Sequence, residues 1–204
     1  MTSVVKISDV QEENGMLKFT LSNINVSYAN AIRRTILSNI PCIVFKTQPY
    51  SENKVNIISN KTRLNNELIK QRISCIPIFI NDIDEFPYQD YLIELNKTND
   101  TDNIIYATTQ DFKIKNIKLD KYLEPSEVKQ IFPPDNITGD YILIVRLRPK
   151  LSETTEGEHI NLKAELTISN AEEDGTFNVV STCAYGNTLD PLKIKEEWEK
   201  KELE

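Results

Sequence analysis

Few of the side chains that carry covalent or metal chemistry stand where they could work together. The single histidine, His159, sits at the mouth of an alternating apolar segment with no Ser or Cys beside it, so no nucleophile has a base at hand. A surface histidine is the simpler reading. Asp82, Asp84 and Glu85 could be drawn as cation ligands, but Asn-Asp-Ile-Asp-Glu lacks the spacing and the glycine of a calcium loop and reads as a solvated turn. The three cysteines, Cys42, Cys75 and Cys183, are far apart and form no Cys-x-x-Cys pair. They suggest neither a zinc ribbon nor a disulfide framework, and three small buried hydrophobes are expected. Five glycines supply no phosphate-binding loop. No catalytic residue, cofactor or metal is therefore expected. What remains is the adjacent pair Arg33 and Arg34. On a helix their directions differ by about 100°, so at least one guanidinium must leave an apolar stripe and find water, an anion or a partner.

The element that must position this pair runs from Val26 to Pro41. Ser27 is a good N-cap, and Tyr28, Ala31, Ile32, Thr35 and Ile36 recur at three- and four-residue spacing, which predicts one buried helical face stopped by Pro41. Leu17, Phe19 and Leu21 alternate with polar residues before it, as in a strand with one buried face. Cys42 to Phe45 after it is a short β-branched run. A second helix is marked by Leu64, Leu68, Ile69 and Ile73 and capped near Asn65, and Pro77 holds Ile76 to Ile80 extended.

Further strands are predicted at Val55 to Ile58, Tyr91 to Leu95, Ile104 to Thr108 and Phe112 to Ile114, with loops at 81–87 and 96–103 and one helical turn from Pro125. The clearest strands alternate through Tyr141, Leu143, Val145 and Leu147, with Arg146 and Arg148 outward, and through Ile160, Leu162, Ala164, Leu166 and Ile168. An acidic turn, 152–158, joins them. Asp190 as N-cap and Pro191 at the first position predict a charged helix over 192–204, supported by Glu196 with Lys200 and Glu197 with Lys201.

A chain of 204 residues with 39% apolar content can close a core without disulfides. Its formal charge of −7 argues against holding nucleic acid unaided, because phosphate neutralisation needs clustered cations. No segment reaches the ~18 apolar residues of a membrane span, and Met1 to Asp9 lacks an apolar run, so an intracellular protein without membrane contact is expected. Asn60-Lys-Thr and Asn136-Ile-Thr are then coincidences of an Asn-rich composition and not glycan sites. Richness in Asn, Ile and Lys hints at an AT-rich gene, such as that of a large DNA virus or a parasite.

Asn30-Ala-Ile-Arg-Arg34 ending at Pro41, followed by Glu67, Arg72 and the Ile76-Pro77 step, resembles the alpha/D family of RNA polymerase assembly subunits, nearest to the branch of the third-largest RNA polymerase II subunit. In that family an Asn-Ala-Leu-Arg-Arg helix ending at a proline precedes an acidic-start helix with an arginine and an Ile-Pro step. Tyr185, Asp190 to Lys193 and Trp198 resemble the same branch. Two features depart from it. The cysteine cluster that binds metal between the Ile-Pro step and the next strands is absent, and the basic, His-containing turn before an aromatic residue is replaced by Glu172-Glu-Asp-Gly-Thr-Phe177.

The resemblance implies an α+β fold with a discontinuous dimerisation lobe, residues 1–47 and 179–204, around an inserted, mostly antiparallel β lobe, residues 48–178. The second part of the dimerisation lobe looks incomplete, since a relative runs on beyond Trp198 into a strand and a long apolar helix. The implied function is a non-catalytic scaffold of DNA-directed RNA polymerase. Tyr28, Ala31, Ile32, Thr35 and Ile36 would pair with a smaller homologous subunit, separate or fused downstream, and Arg33, Arg34, Glu67 and Arg72 would dock the second-largest subunit. Its place would be the nucleus of a cell, or the cytoplasmic factory or virion of a virus. The alternative is a free-standing intracellular α+β protein-binding module. A scaffold half should expose the apolar face of the 27–38 helix and aggregate or associate without its partner, whereas a free-standing module should be monomeric.

Overall fold

The computed structural model describes residues 4–80, 82–150, 152, 155–189 and 191–202. The fold is α+β, and every strand pairing in it is antiparallel. The chain divides into two compact units, one of the described residues up to Asn39 and from Val180, the other spanning Ile40–Val179.

The first unit opens with a hairpin of β1 (Lys6–Glu13) and β2 (Met16–Ser22). Asn14 and Gly15 both have positive φ, 52° and 71°, the left-handed pair that turns a chain back in two residues. Sequence alternation marks β2 but not β1, whose register is broken by a bulge between Ser8 and Gln11, with Asp9 at φ 54°. Cross-strand pairing of Ile7 with Leu21 puts them on the face that also carries Phe19 and Leu17. That face is not buried as the alternation predicts: Ile7, Leu17 and Phe19 are exposed and Leu21 is half-buried.

The helix α1 (Val26–Ser38) follows. Its N-cap is Asn25 and not Ser27: the Asn25 side-chain oxygen accepts from the Ser27 amide at 2.8 Å, so Ser27 already lies in the first turn. The helix ends at Asn39, whose amide donates to the Thr35 carbonyl, two residues before Pro41. The C-terminal helix of this unit, Pro191–Glu202, becomes α4 below. Asp190, the expected cap, lies outside the described residues. Among the described residues the ion pair on this helix is Glu197 with Lys200 at 2.9 Å, three residues apart and not four.

The second unit holds β3 (Cys42–Val44), β4 (Val55–Asn60), α2 (Asn66–Ser74), β5 (Tyr91–Thr98), β6 (Ile105–Thr108), β7 (Lys113–Asn116), β8 (Lys121–Tyr122), α3 (Pro125–Ile131), β9 (Leu143–Leu147), β10 (His159–Glu165) and β11 (Thr167–Ser169), with α4 closing the element order in the first unit. A five-stranded sheet runs β4-β10-β5-β7-β8, and two small sheets pair β11 with β3 and β6 with β9. Val55, Ile93, Leu95, Ile114, Ile160 and Leu162 point from the large sheet into a core closed by Ile69 and Ile73 of α2 and by Ile144 and Leu147 of β9. Phe45, Phe112 and Phe132 meet there, with ring centroids 5.1 to 6.2 Å apart. Burying ten such aliphatic side chains, at about 1.5–3 kcal/mol each, is the main force holding this unit.

The alternation from Ile160 to Ile168 predicts one strand, and the structure breaks it. β10 pairs with β4 and β5, whereas β11 leaves for β3. Past Leu166 the inward parity flips, so that Ser169 is buried and Ile168 is exposed. The buried Ser169 hydroxyl donates to the Glu173 carboxylate, which satisfies it.

At one end of the large sheet a polar node ties three segments together. Asn99 is fully buried; its Nδ2 donates to the carbonyls of Asn103 (2.8 Å) and Leu147 (2.9 Å), and its Oδ1 accepts from the Thr101 amide and hydroxyl. Gly157 passes so close that a Cβ there would lie 1.7 Å from the Asn99 carbonyl oxygen. Next to it Glu158, also buried, accepts from the amide and guanidinium of Arg148.

Candidate assembly interface

The helix α1 presents two faces. Asn30 and Arg33 occupy the first, where Arg33 is half-buried and its Nε donates to the Asn30 side-chain oxygen at 3.1 Å. This bond fixes the guanidinium stem and leaves the terminal nitrogens to reach further. Arg34 is fully on the exposed side. The second face holds the predicted stripe. Tyr28 is 67% exposed and Ile32 41%, Ala31 and Thr35 are exposed, and only Ile36 is half-buried. Within this chain the stripe is therefore not a core face. The three- and four-residue spacing marks which residues share a face, but nothing in it tells whether that face is buried within the chain.

Sequence reading overlooked the hairpin. Ile7, Val10, Leu17 and Phe19 are exposed apolar side chains on a two-stranded ribbon, which by itself is marginal in water. A signal existed in the Asn14-Gly15 turn, which implies a strand on each side and so a second apolar row opposite Leu21.

The other predicted partner residues lie on α2. Its N-cap is Asn65, whose Oδ1 accepts from the Leu68 amide at 2.9 Å. Glu67 sits in the first turn and Arg72 in the last, so each charge complements the helix end it occupies. Both are exposed, as are Leu68 and Cys75, while Ile69, Ile73 and Ser74 are buried. The four charged residues thus fall on two helices, Arg33 and Arg34 in one unit and Glu67 and Arg72 in the other.

The acidic turn that replaces a basic one in the resembling family is tied inward. Lys46 pairs with Glu52 (2.5 Å) and Glu173 (3.0 Å), and the Ser169 hydroxyl reaches Glu173 as well. The Ser169 hydrogen bond first, then Lys46, hold the Glu173 carboxyl below its ordinary range, and the two glutamates raise the Lys46 ammonium in turn.

The remaining candidates for chemistry are dispersed. His159 is half-buried at the start of β10. Asp82 accepts from the amides of Asp84 (3.0 Å) and Glu85 (3.2 Å), a turn closed on its own backbone, and no metal-binding group of His, Cys, Asp and Glu forms among the described residues. The cysteines are free and not uniformly buried: Cys75 is exposed, Cys42 and Cys183 half-buried. The Cys42 thiol donates to the Phe177 carbonyl at 3.2 Å, and burial pushes its pKa up, away from reactivity. No helix among the described residues is long and apolar enough to cross a membrane.

No family model matches the chain. Individual proteins do. It is 22% identical over 219 aligned positions to DNA-directed RNA polymerase subunit Rpo3 of Pyrococcus furiosus, covering 96% of this chain and 81% of that one. Over shorter stretches it is 30% identical to DNA-directed RNA polymerase II subunit rpb3 of Dictyostelium discoideum (43% of this chain, 27% of that one) and 36% identical to DNA-directed RNA polymerases IV and V subunit 3B of Arabidopsis thaliana (36% and 20%). None of the three is viral, so the compositional hint toward a virus gains nothing from them.

Proposed function

This chain is a homologue of the alpha-like subunits of DNA-directed RNA polymerase, and from that premise we propose that it is a non-catalytic assembly subunit that pairs with a smaller homologous subunit and then docks the second-largest subunit, inside the cell, where transcription takes place. The observation that carries the proposal is the unpartnered apolar surface of the first unit. Tyr28 and Ile32 on α1, and Ile7, Leu17 and Phe19 on the hairpin, are large apolar side chains left in water on elements with little core of their own. A free-standing module would bury such a stripe, so the exposure favours the scaffold reading. The division into two units is compatible with a discontinuous dimerisation lobe around an inserted β lobe, and the antiparallel pairing throughout the second unit is in keeping with the latter.

Each part has a role in this reading. Tyr28, Ala31, Ile32, Thr35 and Ile36 face the smaller subunit. Arg33, held by Asn30, together with Arg34, Glu67 and Arg72, supplies charged contacts to the second-largest subunit. Arginine suits that task because its planar fork meets a carboxylate or backbone carbonyls with several donors at once. No residue of the chain is assigned to the reacting phosphates, and nucleic acid is reached only through the other subunits. The test is co-expression of the tagged chain with a smaller alpha-like subunit, followed by size-exclusion chromatography. A stoichiometric complex, with the chain alone aggregating or self-associating, is the expected result; a monomeric chain that ignores the partner favours the free-standing module.

A further inference from the structure

One end of the large sheet's outer face has no place in that reading. In β5 and β10 the buried Ile93, Leu95, Ile160 and Leu162 point into the core, so Asn96, Thr98, His159 and Asn161 point the other way. The register sets His159 opposite Thr98 and Asn161 opposite Asn96, and cross-strand pairs of this kind hold their Cβ atoms ~4.5–5.5 Å apart. Together with Asp100, Glu156 and Gly157 they line an open cleft of about 430 Å³. Elsewhere on this face the charges are spent on one another: Glu94 takes Lys163 and the Tyr122 hydroxyl, and Lys54 pairs with Glu165. In the cleft only Glu156 is so engaged, by Lys61 at 2.6 Å. The side chains of Asn96, Thr98, Asp100, His159 and Asn161 make no hydrogen bond or ion pair among the described residues, although His159 and Asn161 are half-buried.

Solvation accounts for the exposed Asn96, Thr98 and Asp100. Two half-buried polar side chains facing them without partners leave hydrogen-bonding capacity for a ligand. The lining names its class by exclusion. It has no aromatic or aliphatic wall on which a sugar ring or a nucleobase could pack. An anion would meet the unpaired Asp100 carboxylate, while Lys61 is engaged with Glu156. No group of three His, Cys, Asp or Glu side chains able to hold a metal ion forms among the described residues. What fits is a planar cation with several donors. Asp100 supplies the opposite charge, and the amide oxygens of Asn96 and Asn161, side by side across the two strands, accept from the same fork with the Thr98 hydroxyl. We propose that this cleft over the ends of β5 and β10 binds the guanidinium of an arginine side chain carried by another polypeptide. Free arginine is the poorer occupant, because its α-carboxylate would enter beside Asp100 and Glu156.

The proposal does not depend on the polymerase reading, and its test uses the full chain without other subunits. The tagged chain is immobilised sparsely, and a short Gly/Ser peptide with a central arginine is passed over it by surface plasmon resonance. The same peptide carrying lysine or citrulline in place of arginine, and free arginine, are the comparators. The arginine peptide should bind at millimolar concentration or below, at least about fivefold tighter than any of the three. Asp100→Asn should weaken it by about tenfold, and Asn96→Ala with Asn161→Ala by several-fold, both with unchanged circular dichroism. Equal binding of any comparator, binding unchanged by Asp100→Asn, or no binding of the arginine peptide at about 5 mM would each overturn it.

Discussion

Asn99 and Gly157 show what single residues decide in the second unit. Removing the buried amide by Asn99→Ala leaves the Leu147 and Asn103 carbonyls and the Thr101 donors short of a partner, which should cost about 3 kcal/mol at the usual 1–3 kcal/mol for each unsatisfied buried group. Gly157→Ala forces backbone against backbone and should cost at least as much, both read from urea unfolding midpoints. Glu94 gives the pH dependence. Its hydrogen bond from Lys163, helped by the Tyr122 hydroxyl and opposed by partial desolvation, holds its carboxyl below the ordinary 4.5. A depressed carboxylate stabilises the fold above the unfolded-chain value and loses that contribution as pH falls through the folded one. Glu94→Gln should therefore lower the melting temperature slightly at neutral pH, by an equivalent of less than about 1 kcal/mol, with the gap to wild type closing in acid; a gap independent of pH would mean that packing, not charge, is responsible. At this scale one local cause is not readable from the motif alone. Asn60-Lys-Thr has the form of a glycan pattern, but the Asn60 side-chain amide closes a turn, donating to the Leu64 carbonyl and accepting from Thr62, and Asn99-Asp-Thr repeats the arrangement just past the end of β5. The pattern has a physical cause, local hydrogen bonding, that no motif reading supplies.

Among the elements, α1 carries most of the functional account. Loss of its cap by Asn25→Ala should destabilise the helix by about 1 kcal/mol, while Ser27→Ala should be nearly silent, which chemical denaturation of the pair distinguishes. Ile32→Asp puts a charge into the exposed stripe and should abolish pairing with the smaller subunit while leaving the second unit folded; equal complex yield for wild type and variant would place the interface elsewhere. Helix positions were legible because periodicity and Asx caps are local: Asn65 as cap and Ile69 and Ile73 as core hold in the structure. What local pattern could not carry was where a face goes. The alternation through Ile168 reads as one strand, but a change of sheet after Leu166 reverses the parity, and that depends on β3, more than a hundred residues earlier in the chain. The β1 strand was missed for a related reason, since its bulge and its charged residues hide the alternation that β2 displays.

For the whole molecule, the two units divide the labour unequally. The second has an aromatic cluster, an aliphatic core and a polar node at one sheet end, whereas the first is a hairpin and helices whose large apolar side chains face water. The arginine pair was legible in sequence as two charges that could not both lie in the apolar stripe, but local pattern says nothing of what they contact. The central claim is tested most directly by staged capture: immobilise the tagged chain alone, or its preformed pair with the smaller alpha-like subunit, and measure retention of the second-largest polymerase subunit, using wild type, Arg33→Ala and Arg34→Ala. The account predicts capture by the wild-type pair, little by the chain alone, and a fall of one to three orders of magnitude with at least one alanine variant, the equivalent of about 1.4 kcal/mol per decade, with pairing itself intact. Equal capture by the wild-type pair and both variants would contradict the docking role, and no capture by the wild-type pair would contradict the assembly function.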